Sequence, residues 1–512
     1  MKYKSIVVLF VYTVAIYAIT VYSQTLDATI RGRVVDSSGI SIEGASLKAI
    51  HEGTGEQAIA GSDSDGTFTF SVLSPGTYRV EVEKAGFKKF VNTGVRLNIG
   101  QNIRLNFTLE PGGPEDQVIT VYAQQGLIEP DATSAGMVIE NRQIVHLPLD
   151  KRDFLQLSLL LPGTAPSAQG SPGSVRDEFS INVNGMREDS NNFMLDGVFN
   201  NDPKLNSFAV NPPVDAINEF EVLTSTYDAG FGRSGGAQVN IALKSGSNRL
   251  HGTAYEFFQN AALNAENYFA PPDEGKPRFQ NNQFGFSAGG PILRNRTFFF
   301  GDYEGRRERK GVTLVTNVPT ALEREGDFSQ SLFPAPVDPF TGLPFENDAI
   351  PFYYINATGQ AVANLYPFPN RDVPGQNFVS SPIKRRREDR FDVRFDHSLF
   401  DASKLISRFS FSDYDVYDPI TGDSFASIPG YGADIERRAQ NFMLGSDHTF
   451  SPSIVNQARF AFNRVAFGSY QESRETSLNQ QVGIPELSSK PRDYGLSFLR
   501  VSGFSPIGDE YN

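Results

Sequence analysis

The stretch Phe391-Asp392-Val393-Arg394-Phe395-Asp396 alternates apolar with charged residues at every position. The same period of two returns at 408–412 (Arg-Phe-Ser-Phe-Ser) and at 458–463 (Ala-Arg-Phe-Ala-Phe-Asn). Such alternation places successive side chains on opposite faces of a β-strand. In a soluble sheet the charged face would meet water. In an outer-membrane barrel the apolar face meets lipid and the polar face lines the lumen.

The segments between these strands favour the barrel. Residues 334–382 are rich in Pro, Gly and Asn, which suits the long surface loops of a barrel and would be unusual inside a compact soluble domain. The basic run 384–387 is most simply the solvated flank of a strand, and a contact with substrate or a lipid headgroup is the alternative.

Composition limits the remaining classes. The 512 residues carry 46 Lys plus Arg against 59 Asp plus Glu, a net charge of −13, with 42 Phe, 19 Tyr and neither Cys nor Trp. The length predicts several domains. The acidic balance argues against a nucleic-acid partner, and the lack of cysteine excludes disulfides and thiolate sites within this sequence.

The N-terminus has the pattern of a secretory signal. Lys2 and Lys4 precede an apolar run from Ile6 to Val21, and the small Ser23 follows. We predict a signal peptide over 1–23, cleaved after Ser23, with an N-terminal membrane anchor as the alternative.

Residues 25–111 are predicted to form a small β-sandwich, called the sandwich below. Runs such as 67–72 and 78–83 alternate, and Gly, Asp and Pro clusters separate six or seven short strands. Asp63 and Asp65 suggest a turn rather than a calcium loop, because the other acidic ligands are missing. Gly32–Asp36, Asp63–Phe68 and Ser74–Tyr78 resemble the carboxypeptidase regulatory-like domain. That resemblance implies a non-catalytic accessory module with a hint of glycan contact.

A linker with an extended segment is predicted over 112–123, after the turn residues Pro111-Gly112-Gly113-Pro114. The segment is similar to the TonB box of outer-membrane transporters, which adds a strand to a TonB-type energy-transducing protein in the periplasm. The first strand of the next domain is the equally weighted alternative. The candidate contact residues are Asp116, Gln117, Val118, Ile119, Thr120 and Val121.

Residues 124–247, called the plug segment below, contain motifs that look catalytic. The run 230–236 holds both a dinucleotide fingerprint (Gly230, Gly232, Gly235) and a nucleophile elbow around Ser234. Each motif must lead into a helix, whereas 238–243 reads as a strand. The five histidines have no paired zinc-ligand spacing. We therefore predict no enzyme and no cofactor.

The plug segment resembles the plug domain of TonB-dependent receptors. Its secondary structure is predicted as a helix in 150–161 and strands in 181–197, 220–223 and 239–243, with tight turns at Asn-Gly and Asp-Gly pairs. Arg187, Asp196 and Glu219 are expected to anchor it to a lumen wall, with surface solvation as the alternative. The residues that carry the resemblance are Asn184, Gly185, Arg187, Leu195, Asp196, Gly197, Glu219, Phe220 and Gly232.

Residues 248–512, called the barrel segment below, resemble the Oar-like branch of the same family in 251–258, 283–292 and 297–305. The resemblance implies a barrel of about 22 strands. Residues 250–512 number 263, too few at roughly 10 residues per strand plus loops. We therefore expect the N-terminal part of a longer receptor.

The prediction is a mainly β protein with an N-terminal β-sandwich, a small α+β plug and antiparallel strands of an incomplete outer-membrane β-barrel. The family resemblance implies a receptor in outer-membrane lipid that gates passage of an unidentified ligand: a glycan, a peptide, a siderophore or an exported protein. The alternative is a secreted or cell-surface adhesion protein built of soluble, glycan-binding β-domains.

Overall fold

A computed structural model describes residues 27–112, 118–122, 134–168, 179–204, 206–227, 230–266, 268, 276–400, 402–420, 426–451, 454–486 and 488–509. The predicted signal peptide lies outside the described residues. Within these ranges, no helix combines the length and apolar character that crossing a membrane requires.

The sandwich consists of two sheets that enclose one apolar core. Its strands are β1 (Ala28–Asp36), β2 (Ser46–His51), β3 (Gln57–Gly61), β4 (Thr67–Leu73), β5 (Gly76–Glu83), β6 (Phe90–Leu97), β7 (Asn102–Arg104), β8 (Phe107–Leu109) and β9 (Ile119–Tyr122). One sheet has the order β4-β1-β7 with β8 also on β1, and the other has the order β3-β2-β5-β6-β9. Alternate residues point inward, so that side chains such as Phe68, Val80 and Phe107 are buried between the sheets.

Two details differ from the predicted strands. The alternation at 103–109 predicts one strand, but this run is split into β7 and β8, which pair in parallel with opposite ends of β1. The segment after the linker is not the first strand of the next domain, so that alternative was wrong. Strand β9 pairs in parallel with β6 and extends the sandwich sheet.

Asp63 accepts hydrogen bonds from the backbone of Asp65 and Thr67, as a plain turn does.

The plug segment is built around a five-stranded sheet in the order β10-β15-β16-β13-β14. Its elements are β10 (Ala135–Glu140), α1 (Asn141–His146), β11 (Thr164–Pro166), β12 (Ile181–Val183), β13 (Asn192–Leu195), β14 (Val198–Phe199), β15 (Ile217–Ser225) and β16 (Gln238–Leu243). The helix predicted over 150–161 is instead two 3₁₀ helices, Asp150–Arg152 and Phe154–Leu160. Positive φ angles at Lys151 and Arg152 prevent one continuous α-helix.

The barrel segment forms an open antiparallel sheet of seven long strands. They are β17 (His251–Asn260), β18 (Phe279–Leu293), β19 (Thr297–Gly311), β22 (Ile383–Phe400), β23 (Ser403–Asp418), β24 (Ala433–Ser451) and β25 (Ile454–Gln471). The alternation predicted at 391–396 is confirmed. Asp392 and Asp396 are buried toward the plug segment, whereas Val393 and Phe395 are exposed on the opposite face.

The long connections on one side of this sheet are folded, contrary to the expectation of structureless loops. They contain β20 (Leu314–Thr316), α2 (Ala321–Arg324), α3 (Ala357–Leu365), β21 (Phe378–Ser380) and α4 (Leu478–Gln481). Side chains from three connections share one small core that includes Val318, Tyr366, Ile428 and Leu496. The other side of the sheet, with the short turn between β18 and β19, faces the sandwich through Asn248 before β17 and Lys404 of β23.

Candidate functional site: the junction of sandwich, plug and barrel wall

The turn Asp196-Gly197 connects the plug segment to the barrel wall. Both residues have positive φ, 48° and 78°, as a two-residue hairpin between β13 and β14 requires. The Asp196 carboxylate accepts hydrogen bonds from the backbone N–H of Leu243 at 3.0 Å and from Arg394 Nη1 at 3.1 Å. Arg408 Nε lies 3.5 Å from its other oxygen. One plug carboxylate therefore faces two barrel guanidiniums.

These guanidiniums are themselves positioned by the wall. Arg394 also donates to both oxygens of Asp396, at 2.9 and 3.0 Å. Arg408 is fully buried and donates to Asn441, whose amide donates in turn to the backbone carbonyl of Phe199. Buried charges are tolerated only when paired and hydrogen-bonded. The arrangement therefore holds the β13–β14 hairpin against β22, β23 and β24.

A second plug loop, residues 200–211, contacts the same wall through its backbone. Asn463 donates to the carbonyl of Asn201 at 2.8 Å, and Arg390 donates to the carbonyl of Asn211 at 3.2 Å. Arg437 donates to the carbonyl of Phe208. One amide and two guanidinium donors on barrel strands thus satisfy carbonyl groups of the loop.

The first 3₁₀ helix of the plug segment makes a third contact. Arg152 pairs with Asp215 at 2.5 Å within the plug segment. Its guanidinium also stacks over the rings of Tyr255 and Phe257 of β17, 4.4 and 4.3 Å from their centroids. Apolar contact comes from Phe300 of β19, which joins the plug core, and from Ile406 and Met443 of the wall, which pack with Val198 of β14.

The sandwich binds to the short-turn end of the barrel wall through polar groups. The backbone N–H of Asn248 donates to the carbonyl of Gly53, and the side-chain amide of Asn248 donates to the carbonyl of Thr54. Lys404 lies 3.2 Å from Glu56, and Gln457 donates to Asp27 at 2.5 Å. A polar cavity of about 590 Å³ remains between the sandwich, the plug segment and the wall, with His51, Lys244 and Arg394 among its lining residues.

Glu219 joins the plug segment to the sandwich. The predicted contact of Glu219 with a lumen wall was wrong. Its carboxyl accepts a hydrogen bond from the backbone N–H of Ile99 at 2.5 Å. Nearby, Arg96 of the sandwich pairs with Glu140 at 3.1 Å. Burial raises the pKa of Glu219 from 4.5 to about 7, although the Ile99 hydrogen bond and Arg96 oppose this shift.

This raised pKa predicts a pH-dependent junction. A carboxyl group whose folded-state pKa exceeds its unfolded value costs stability as pH rises between the two values. Stability should fall from about pH 4.5 to about pH 7, by roughly 3 kcal/mol at most at about 1.4 kcal/mol per unit. In Glu219→Gln, which keeps a neutral acceptor for Ile99, this decline should vanish. Urea midpoints at several pH values, read by hydrogen exchange around Ile99, measure it.

The exposed Glu43→Gln variant is the matched control and should retain the wild-type pH dependence. A Glu219→Gln protein with the same decline as wild type would assign the effect to other titratable groups.

The remaining predicted residues have mixed placements. Leu195 and Phe220 are buried in the plug core. Asn184 and Gly185 form a tight turn with positive φ, and the Asn184 amide donates to the carbonyl of Thr224 at 2.8 Å. Arg187 is not a wall anchor: its side chain is 83% exposed and pairs with Asp189 of its own segment.

The 230–236 run has no catalytic context. Gly232 lies in open space in a loop, and the strand β16 follows where either motif needs a helix. In the ranges that the structure describes, no group of three or more His, Asp or Glu side chains is arranged to hold a metal ion.

The segment proposed to contact TonB is described only in part. Asp116 and Gln117 lie outside the described residues, while Val118 precedes β9 and Ile119, Thr120 and Val121 belong to it.

Sequence reasoning missed several residues that make the junction. Arg394 and Arg408 were recognised only as members of a polar strand face, and Lys404, Asn248 and Asp27 were not identified. The usable signal was charge on the lumen side of an alternating strand, because such charges need partners.

Comparisons with known proteins agree with this architecture. The family described as "Outer membrane beta barrel domain" matches residues 242–512, and the carboxypeptidase regulatory-like domain matches residues 29–110. The TonB-dependent transporter Oar of Myxococcus xanthus is 26% identical over 262 residues, which are 49% of this chain and 24% of that protein. The chain therefore spans about a quarter of this relative's length.

Two of the solved structures that match are those of outer-membrane proteins. The outer membrane transporter YddB from Escherichia coli has a TM-score of 0.43 and 11% identity, and the match covers 65% of this chain and 39% of that one. A mutant ferric enterobactin receptor from Pseudomonas aeruginosa has a TM-score of 0.39 and 13% identity, covering 66% and 42%. Oar and YddB are named as transporters, and the Pseudomonas aeruginosa protein is named as a receptor.

The family match covers more than half of the chain, and the exposed face of the strands is apolar, as lipid requires. Soluble β-domains are therefore the wrong alternative for the barrel segment, and the protein resides in the outer membrane. The chain belongs to the outer membrane beta barrel domain family, with a carboxypeptidase regulatory-like domain at its N-terminal side.

Proposed function

We propose that the protein is a TonB-dependent outer-membrane transporter in which residues 124–247 occlude the barrel and move to admit a ligand. The sandwich, 25–111, lies in the periplasm. A TonB-type protein binds the segment 116–121 and supplies the energy. No reaction is catalysed.

The observation that carries this proposal is the chemistry of the contact between the plug segment and the wall. Asp196, the 200–211 loop and Arg152 meet the barrel strands mainly through ion pairs, hydrogen bonds and cation–π contacts. A domain held in this way can detach with little exposure of apolar surface, because water replaces the lost polar partners. A movable gate needs such a contact.

The similarity to Oar supports the proposed energy coupling, since that protein is named a TonB-dependent transporter. The candidate ligands are glycans, peptides, siderophores and exported proteins. The charged lumen-facing residues, among them Arg390 and Arg394, favour a polar ligand over an apolar one.

Deleting the plug segment from the full-length protein tests the gate without a known ligand. In planar bilayers, the intact protein should show little conductance, and the variant lacking 124–247 should conduct at least tenfold more. Deleting only the sandwich is the control and should leave the barrel closed. A barrel that assembles without 124–247 and still does not conduct would refute the gate.

A further inference from the structure

The edge of the sandwich carries a short strand that the sandwich core does not need. Strand β9 pairs in parallel with β6, with Phe90 opposite Ile119 and Asn92 opposite Val121. It is the last strand of its sheet. Its residues contribute nothing to the buried cluster between the two sheets. Backbone pairing therefore provides most of its attachment.

The side chains near this strand point to weak attachment. Val118 is 50% exposed and Val121 is 42% exposed, so that docking buries little of their apolar surface. On β6, Asn92 Oδ1 and Thr93 Oγ1 are buried without a hydrogen-bond partner among the described residues. Unsatisfied buried polar atoms oppose docking. A four-residue strand attached in this way belongs to the low-stability parts of a protein that open first.

We propose that the outer edge of β6 is a binding site for an extended strand, and that 119–122 occupies it at rest. This inference rests on the proposed function, because it assigns the same residues to the TonB-type partner. Strand addition uses the backbone N–H and C=O groups of the added segment. The segment pairs either with β6 or with the partner, so the sandwich competes with the partner for it.

Release has a consequence for the sandwich. When 119–122 leaves, the backbone groups of β6 become an open edge, which favours return of the same segment. The sandwich therefore binds the contact segment reversibly and keeps it ordered until the partner binds it.

A reversible disulfide tests this competition, because no cysteine within these 512 residues can pair with the introduced thiols. In the full-length protein, the double variant Asn92→Cys/Val121→Cys places two thiols on directly paired residues. The probe is the purified periplasmic domain of the organism's TonB-type protein. Oxidation should weaken its binding at least tenfold, and reduction should restore it.

The control pair Lys48→Cys/Ile59→Cys links β2 to β3 in the same sheet, away from β9. Its oxidation should leave binding unchanged. Equal binding by the oxidised and reduced Asn92→Cys/Val121→Cys variant would overturn the inference while leaving the proposed function intact. A wild-type protein that does not bind the probe would overturn both, because both assign the segment to that partner.

Discussion

Replacing Asp196 with alanine is expected to weaken the attachment of the plug segment to the barrel wall by about 3–5 kcal/mol. The carboxylate lies 3.1 Å from Arg394 and 3.5 Å from Arg408, and the latter side chain is completely buried. Its removal leaves the buried Arg408 guanidinium with too little compensating charge. The hydrogen bond to the Leu243 N–H is lost as well.

The measurement is a urea titration of the full-length protein in detergent, with release of the plug segment followed by tryptic cleavage. The Asp196→Ala midpoint should fall well below that of wild type. Asp189→Ala is the matched control, because Asp189 is 44% exposed and pairs only weakly with Arg187 at 3.4 Å. Its effect should stay below about 1 kcal/mol. Equal midpoints for the two variants would show that Asp196 does not secure the plug.

Replacing Gly32 with alanine is expected to destabilise the sandwich by about 3 kcal/mol. A Cβ atom at Gly32 would lie only 1.6 Å from the carbonyl oxygen of Leu105. Leu105 lies between β7 and β8, where its backbone N–H donates to the carbonyl of Arg31 at 2.8 Å. The added methyl group must therefore push β1 away from both parallel partners.

Thermal unfolding of the isolated sandwich, which has its own buried core, checks this prediction. The melting temperature of Gly32→Ala should fall by at least about 10 °C, at roughly 4–8 °C per kcal/mol for a domain of this size. Gly61→Ala is the control, because the nearest atom to its new Cβ is 3.9 Å away. A Gly32→Ala sandwich as stable as the control would mean that β1 and Leu105 separate without cost.

Local rules predicted the parts of the site that depend on neighbouring residues. Asp196-Gly197 forms a hairpin because these residues tolerate positive φ. The strand around Phe395 alternates because lipid lies on one side of it and the lumen on the other. Neither rule identifies the partner of Asp196, since Arg394 lies 198 residues further along the chain.

The strand with which 119–122 pairs is likewise not determined by neighbouring residues. The composition of 116–123 indicates an extended strand, and backbone pairing is nearly independent of side-chain identity. The edge that it joins therefore cannot be read from its residues. Similarly, the polar connections were predicted as loops, but three of them meet through Val318, Ile428 and Leu496 to bury a common core.

The sequence by itself determined the alternating strands, the tight turns and the family of the barrel segment. It also determined that the 230–236 run leads into a strand instead of a helix. Each of these features depends on residues close together in the chain. Only the tertiary structure decided that Asp196 meets Arg394 and Arg408, that Glu219 holds the sandwich instead of the wall, and that β9 rests on β6. These contacts join distant segments, and their energies depend on burial and pairing that exist only after the chain has folded.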